Sequence, residues 1–188
     1  MKILYVDTAS DKLYIALIGE DKVISHREES RLNHSVMLLP VFDALLRENS
    51  MTLDDFDYFA ANTGPGSFTG IRIGVTTVNA FGFTKGKKII PVTSFMPFAY
   101  NGSRAEVFAL DARHGNYYTA RVSGENFTYE VMTGEEARAA GAEFINPDEC
   151  TDEGVKRAVL SRIGDACDMI APFYLRESEA ERNENQTR

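Results

Sequence analysis

The sequence predicts an α/β protein made of two related halves, each a mixed β-sheet flanked by helices, with the second half shorter than the first. Three observations carry that expectation. Residues 2–29 alternate apolar and β-branched side chains in three pieces, the mark of short strands joined by turns. Segments 33–49 and 68–83 change to apolar spacings of three and four, the mark of helices. When the sequence is slid along itself so that Asp7 falls on Asp111, Tyr14 falls on Tyr118, Ala16 on Ala120, Ile3 on Val107, Val6 on Leu110 and Ile18 on Val122. That match reads as one strand, Asp, turn, strand unit used twice.

The elements follow in order. Breaks at Ser10-Asp11-Lys12 and at Gly19-Glu20-Asp21-Lys22 divide the opening into an antiparallel three-strand meander. The helix over 33–49 places Leu38, Val41, Phe42, Leu45 and Leu46 on one stripe, with Val36, Met37, Leu39 and Ala44 beside it, a face wide enough to be covered on more than one side. Pro40 inside it removes a backbone donor and should bend it. A strand over 58–62 runs through Thr63-Gly64-Pro65-Gly66-Ser67 into the helix over 68–83, followed by a turn at 85–88 and a strand over 89–92. Ser94 is placed to cap a short helix that stops at Asn101-Gly102.

The second half starts again with strands over 106–110, 117–122 and 127–132. Thr133 with Glu136 makes a capping box for a short helix ending at Gly141. Val155, Val159, Ile163, Ala166 and Ile170 mark a longer helix from near Thr151-Asp152 to just before Pro172. The expected division is a first half over 1–102, a shortened second half over 103–176 and a loose polar tail over 177–188.

Apolar residues make up 44% and charged residues 26% of the 188, a globular composition that argues against disorder. A net charge of −8 disfavours a broad basic surface, and with it direct nucleic-acid binding by this chain alone. The opening apolar run is too short for a signal-peptide core, and no stretch approaches the ~20 apolar residues that span a bilayer. The expectation is a cytoplasmic protein without a membrane partner. Cys150 and Cys167 fit no CxxC pattern and read as plain thiols.

Three segments could carry chemistry. Asp7-Thr8-Ala9-Ser10 is a turn that could offer amides and hydroxyls to a phosphate, with the acid holding a metal-bound water; it also reads as an ordinary hairpin turn. Gly64-Pro65-Gly66-Ser67-Phe68-Thr69-Gly70 lies between a strand and a helix, where free amides can bind an anion; a packing and turn role is the other reading. It is neither a Walker A loop nor GxGxxG, and Pro65 and Thr69 stand where a GxSxG elbow needs glycines. Asp111-Ala112-Arg113-His114-Gly115 could face Asp7 across a cleft between the halves, or be a simple turn stabilised by Gly115. Asp7, Thr8, Ser10, Gly66, Ser67 and Asp111 are thus the candidate phosphate contacts. His26, His34 and His114 show no HExxH or HxxxH spacing, so no helical zinc site is expected, and His34 reads as a capping or core residue. No catalytic set is identified.

The helix after the glycine-rich loop carries Gly70, Gly74 and Gly82 on nearly one face. Each interior glycine costs about 1 kcal/mol relative to alanine, so the segment gives up roughly 2 to 3 kcal/mol of helix preference. A smooth stripe for close approach of another helix, within the chain or from a second molecule, is the simplest compensation.

Together, Asp7-Thr8-Ala9-Ser10, Asn33-His34-Ser35 with Leu39-Pro40, the run Gly64-Pro65-Gly66-Ser67-Phe68-Thr69-Gly70-Ile71-Arg72-Ile73-Gly74, Asp111-Ala112-Arg113-His114-Gly115 with Tyr117, and Tyr174-Leu175-Arg176 resemble the TsaB (YeaZ) family, a branch of the duplicated actin-like, sugar-kinase-like (ASKHA) fold. The likeness is strong over 1–120 and thin over 121–171. It implies a non-catalytic subunit needed to make threonylcarbamoyladenosine at position 37 of tRNA, beside the catalytic relative TsaD and the ATPase TsaE. TsaD transfers a threonylcarbamoyl group that another enzyme activates, and tRNA would be met only through the complex. Family members also self-associate as homodimers. The contact with either partner is expected on the helices over 33–49 and 68–83, through His34, Leu38, Val41, Phe42, Leu45, Gly70, Ile71, Gly74 and Val78. No cofactor is implied for the chain alone, and ATP or ADP at the contact with TsaD is left open. The alternative is an independent ATPase or small-molecule kinase using Asp7 and Asp111, weakened by the lack of a recognisable adenosine loop. A glycoprotease-like peptidase is a distant third.

Overall fold

Two mixed sheets share one strand order. The computed structural model describes residues 1–30 and 33–175, so Arg176 and the expected tail lie outside the described residues. The order is β1 (Ile3–Asp7), β2 (Lys12–Ile18), β3 (Val23–Glu29), α1 (His34–Glu48), β4 (Tyr58–Gly64), α2 (Phe68–Lys85), β5 (Ile89–Thr93), α3 (Met96–Ala99), β6 (Val107–Asp111), β7 (Asn116–Ser123), β8 (Asn126–Thr133), α4 (Gly134–Ala139), β9 (Glu143–Ile145) and α5 (Asp152–Ser161). The first sheet runs β3-β2-β1-β4-β5 and the second β8-β7-β6-β9. In both, a three-strand antiparallel meander is extended by a parallel strand beside its first member. The α/β duplication is therefore present, with the second sheet one strand short.

The strand, Asp, turn, strand unit is present twice, Asp7 and Asp111 each ending its first strand and accepting from the amide two residues on, but the pairing across the two hairpins differs by one residue. Asp7 pairs with Tyr14 across the first hairpin, whereas in the second Leu110 pairs with Tyr118 and Asp111 with Tyr117. Matching Tyr14 to Tyr118 puts Leu110, not Asp111, in the place of Asp7. Because side chains alternate along a strand, a one-residue shift moves a group to the other face. Asp7 consequently points into the side lined by Tyr5 and Tyr14, while Asp111 is exposed.

Each face of the first sheet has its own core. Leu4, Val6, Leu13, Ile15 and Leu17 meet Leu38, Phe42, Leu45 and Leu46 of α1 and Ile71, Val75 and Val78 of α2. The opposite residues Ile3, Tyr5, Tyr14, Ala16 and Ile18 meet Val155, Ala158 and Val159 of α5. The helix α1 runs through Pro40, which stands on its exposed side.

Two expected elements differ. The long final helix ends at Ser161, and a 3-10 turn at Ile163–Asp165 follows. Its apolar spacing is used on two faces: Val155, Val159, Ile163 and Ala166 pack on the α5 side, while Ile170 lies in the core under α1 and α2. The chain passes round the sheet edge between them, where Ile89 and Cys167 form a bridge. Ser94 does not cap α3, whose N-cap is Phe95. Its hydroxyl instead donates to the Pro65 carbonyl at 2.7 Å.

Candidate functional site

The turn after β1 and the loop before α2 are clamped together backbone against backbone. Ser67 N donates to Ala9 O at 2.7 Å, and the Thr8 hydroxyl donates to Gly70 O at 2.6 Å. A Cβ on Gly66 would stand 2.4 Å from Ala9 O, one on Gly70 1.9 Å from Thr8 O, and one on Gly74 2.4 Å from Thr8 Oγ1. Such separations are far inside van der Waals contact, so only glycine lets the helix approach this closely. Gly82 plays the same part further along, beside Ile89.

Asp7 fastens this clamp from below. Its Oδ1 accepts from Ala9 N at 2.8 Å, and its Oδ2 accepts from Asn62 Nδ2 at 2.8 Å and from the Tyr5 hydroxyl at 3.1 Å. Asn62 Oδ1 in turn accepts from Gly64 N at 2.8 Å and lies 3.1 Å from the Ser94 hydroxyl oxygen. Burial pushes the Asp7 carboxyl up from its ordinary value, and these donors offset part of that shift. The carboxylate is committed to the protein's own groups.

Above the clamp lies a cavity of about 600 Å³ between the two halves. Its first-half wall includes Ser10, Asp11, Gly66, Ser67, Phe68 and Thr69, and its second-half wall includes Asp111, Arg113, Tyr118 and Asp148. Phe173, Tyr174 and Leu175 complete it. Of the candidate phosphate contacts, Ser10, Gly66, Ser67 and Asp111 meet here, while Asp7 and Thr8 are not on its wall. Several amides that a phosphate would need are already donated: Ala9 N to Asp7, Ser67 N to Ala9 O, Gly70 N to Ser67 Oγ and Arg113 N to Asp111. Among the described residues the wall carries three carboxylates against one guanidinium, and the Ser10 hydroxyl donates to Asp148 at 2.8 Å. Among the described residues, no group of three or more His, Cys, Asp or Glu is placed to hold a metal ion.

His34 sits beside the same turn. It is buried, and its Nε2 lies 2.9 Å from Ser10 O, which makes Nε2 the donor. Arg27 ties the first sheet to the second half, donating to the carbonyl oxygens of Asp148 and Cys150 at 2.7 and 2.8 Å while its guanidinium lies over the Tyr14 ring.

Known proteins resemble this chain in both sequence and fold. The family model described as TsaD, tRNA N6-adenosine threonylcarbamoyltransferase, matches residues 22–175. The tRNA threonylcarbamoyladenosine biosynthesis protein TsaB of Bacillus subtilis (strain 168) is 35% identical over 136 residues, covering 70% of this chain and 59% of the relative. Its counterpart of the same description in Escherichia coli (strain K12) is 31% identical over 144 residues, covering 74% of this chain and 62% of the relative. This chain belongs to the TsaB (YeaZ) family.

The TsaB-family chain spans about three fifths of the length of these curated relatives. A crystal structure of a Pseudomonas aeruginosa protein, described as similar to peptidase YEAZ, shares the fold at a TM-score of 0.75 and 22% identity, covering 93% of this chain and 99% of that one. The duplicated ASKHA architecture expected from the resemblance is the one observed.

Most of the residues expected at the contact of this TsaB-family chain lie inside the protomer. His34, Leu38, Phe42, Leu45, Gly70, Ile71, Gly74 and Val78 are buried within the protomer, and Val41 is half-buried. The glycine stripe faces Thr8 and Ile89, so the close approach it allows is made within the chain, the first of the two readings. The outward side of α1 and α2 carries Val36, Leu39 and Phe83, which are 71%, 53% and 86% exposed. The sequence reading also missed Arg72, whose guanidinium lies over the Phe68 ring and whose Nε donates to the Tyr174 hydroxyl at 2.8 Å. The four-residue step from Phe68 to Arg72 was its only signal. Among the described residues no helix is long and apolar enough to cross a membrane.

Proposed function

We propose that this chain is a non-catalytic subunit in the making of threonylcarbamoyladenosine at position 37 of tRNA, which binds and activates the catalytic transferase subunit TsaD. TsaE is the further partner, and tRNA is met through the assembly. The observation that carries the scaffold reading is the pair of apolar helix sides at Val36, Leu39 and Phe83, standing in water on neighbouring helices that stack Phe42 on Phe81 at 5.0 Å. Large apolar side chains left in water, two of them a turn apart on α1, suit a protein contact. The relatives' names supply the pathway, and the net charge of −8 favours indirect contact with tRNA. The same face suits a homodimer, so self-association and TsaD binding should compete. ATP or ADP belongs, in this reading, to the contact with TsaD and not to the chain alone.

The test is reconstitution. The chain alone should modify no tRNA, TsaD with TsaE should be weak, and adding the chain should restore activity. Leu39→Glu with Phe83→Glu should abolish both copurification with TsaD and the restored activity while leaving the unfolding midpoint unchanged. Full activity of that double variant would remove the helix face from the account.

The cavity between the halves favours a second reading, an independent ATPase or small-molecule kinase. Calorimetry with ATP and magnesium on the chain alone separates the two. Binding and turnover that vanish in Asp111→Asn would favour the enzyme; no heat is expected, because Asp7 and the turn amides are engaged by the protein itself.

A further inference from the structure

The rim of the cavity is fastened from outside. Arg72 stands on the exposed side of α2 and does not line the cavity, yet its guanidinium carbon lies 3.9 Å above the centre of the Phe68 ring and its Nε donates to the Tyr174 hydroxyl at 2.8 Å. Phe68 and Tyr174, stacked with ring centres 4.6 Å apart, both line it. The chain that brings Tyr174 here has few backbone bonds, although the Phe173 ring meets Tyr129 edge-on at 4.9 Å. Ile170 is pinned by Asn79, which donates to its carbonyl at 2.9 Å and accepts from its amide at 3.0 Å. From Ala171 to Leu175 there is no regular element, and Phe173 N to Thr63 O is the one backbone hydrogen bond among the described residues. Segments with few backbone bonds open locally well before the fold does.

We infer that Arg72 is a latch that couples the outer side of α2 to access to the cavity. Arg72, Thr76, Ala80 and Phe83 are exposed at helical spacing and form one stripe, so a body lying along that stripe covers Arg72. A carboxylate presented by that body and bound side-on to Nε and one Nη competes with the Tyr174 hydroxyl for the Nε proton, and the guanidinium favours the charged oxygen. Once released, Tyr174 keeps its stacking on Phe68 but loses the tie at its hydroxyl, and the rim loosens. What operates the latch rests on the proposed docking role; the latch itself rests on Arg72 and Tyr174.

The experiment places a reporter on the cavity wall. Ala112 is buried and lines the cavity, so Ala112→Cys in the full chain can be alkylated with iodoacetamide and read by peptide mass spectrometry apart from Cys150 and Cys167. Adding Arg72→Ala should speed labelling at position 112 about fivefold, the equivalent of losing one hydrogen bond. Tyr174→Phe, which keeps the stack, should speed it less. Equal rates in all three would overturn the latch. Should Ala112→Cys fail to fold, hydrogen exchange over 171–175 decides: faster exchange in Arg72→Ala supports the latch, and unchanged exchange overturns it. Adding TsaD to Ala112→Cys separates this idea from the docking role. A TsaD that binds and speeds labelling supports both; one that binds without effect overturns the coupling. A TsaD that does not bind counts against the docking role, and the Arg72→Ala comparison still decides the latch.

Discussion

The Thr8 hydroxyl donates to the Gly70 carbonyl at 2.6 Å, and a Cβ on Gly70 would stand 1.9 Å from the Thr8 carbonyl oxygen. One contact thus fixes the first turn of α2 against the end of β1 and forbids any side chain between them. The glycines that weaken this helix are compensated inside the protomer.

Gly70→Ala should therefore destabilise, although alanine is the better helix former by about 1 kcal/mol. The clash falls on backbone, which cannot swing aside, and overpacking of this kind costs roughly 1 to 3 kcal/mol or more. A net loss of about 2 kcal/mol should appear as a lower urea midpoint at constant slope. Thr76→Ala, on the exposed side of the same helix, should be neutral or stabilising by under about 0.7 kcal/mol. Were both alanine variants stabilising, the clamp would be wrong.

Asp7→Asn tests the support beneath the clamp. The new amide would turn a donor toward Asn62 Nδ2 and the Tyr5 hydroxyl, which both donate to Oδ2 now, at a cost of about 1 to 3 kcal/mol. The pH dependence has a definite sign. Burial raises the folded pKa of Asp7 above the ordinary 3.8, so the folded state holds this proton more tightly than the unfolded one. The stability from protonation is complete below the unfolded pKa and is lost as pH rises through the folded one. Asparagine does not titrate, so the stability gap between native and variant proteins should widen as pH falls from 7 toward 4. A gap that narrows would contradict the burial argument.

Much of this was legible because it is periodic. Strand alternation gave the meanders, and the Thr133–Glu136 capping box is formed as written, Thr133 Oγ1 accepting from Glu136 N. The glycine spacing signalled close approach but not its direction, since spacing is the same whether a helix faces a sheet or a neighbour. β9 has only three residues, Glu143-Phe144-Ile145, too few to show a period. The Asp7 and Asp111 match holds at the strand ends, but alignment by residue type cannot register the one-residue slip in pairing that sets Tyr118 opposite Leu110 and turns Asp111 to the other face. The cavity joins turns distant in sequence and had no local pattern to announce it.

Cys150 should be inert in the folded protein. Burial pushes its thiol up to about 12; the nearby Asp7 charge adds to the shift and the Arg27 guanidinium opposes it. At pH 8 only roughly one molecule in ten thousand carries the thiolate that reacts. Modification of Cys150 by a disulfide reagent, followed by mass spectrometry, should proceed only as fast as the protein opens and should accelerate sharply in urea. Rapid modification without denaturant would show that the junction of the halves is loose.

Asp152 decides how firmly α5 is seated. Its Oδ1 accepts from the Tyr14 hydroxyl at 2.6 Å and its Oδ2 from the Ser25 hydroxyl at 2.8 Å, so the first residue of α5 is tied to β2 and β3. Hydrogen bonds to a charged acceptor contribute about 1.5 to 3 kcal/mol each. Tyr14→Phe should lose one such bond without opening a cavity, and Ser25→Ala the other. Because Val155, Ala158 and Val159 form the inner core with this sheet, a weakened anchor should first appear as faster hydrogen exchange in α5, while α2, held by the Thr8 clamp, changes little. If Tyr14→Phe sped exchange equally in both helices, α5 would not be a separately anchored element, and the tie at Asp152 would count only toward overall stability.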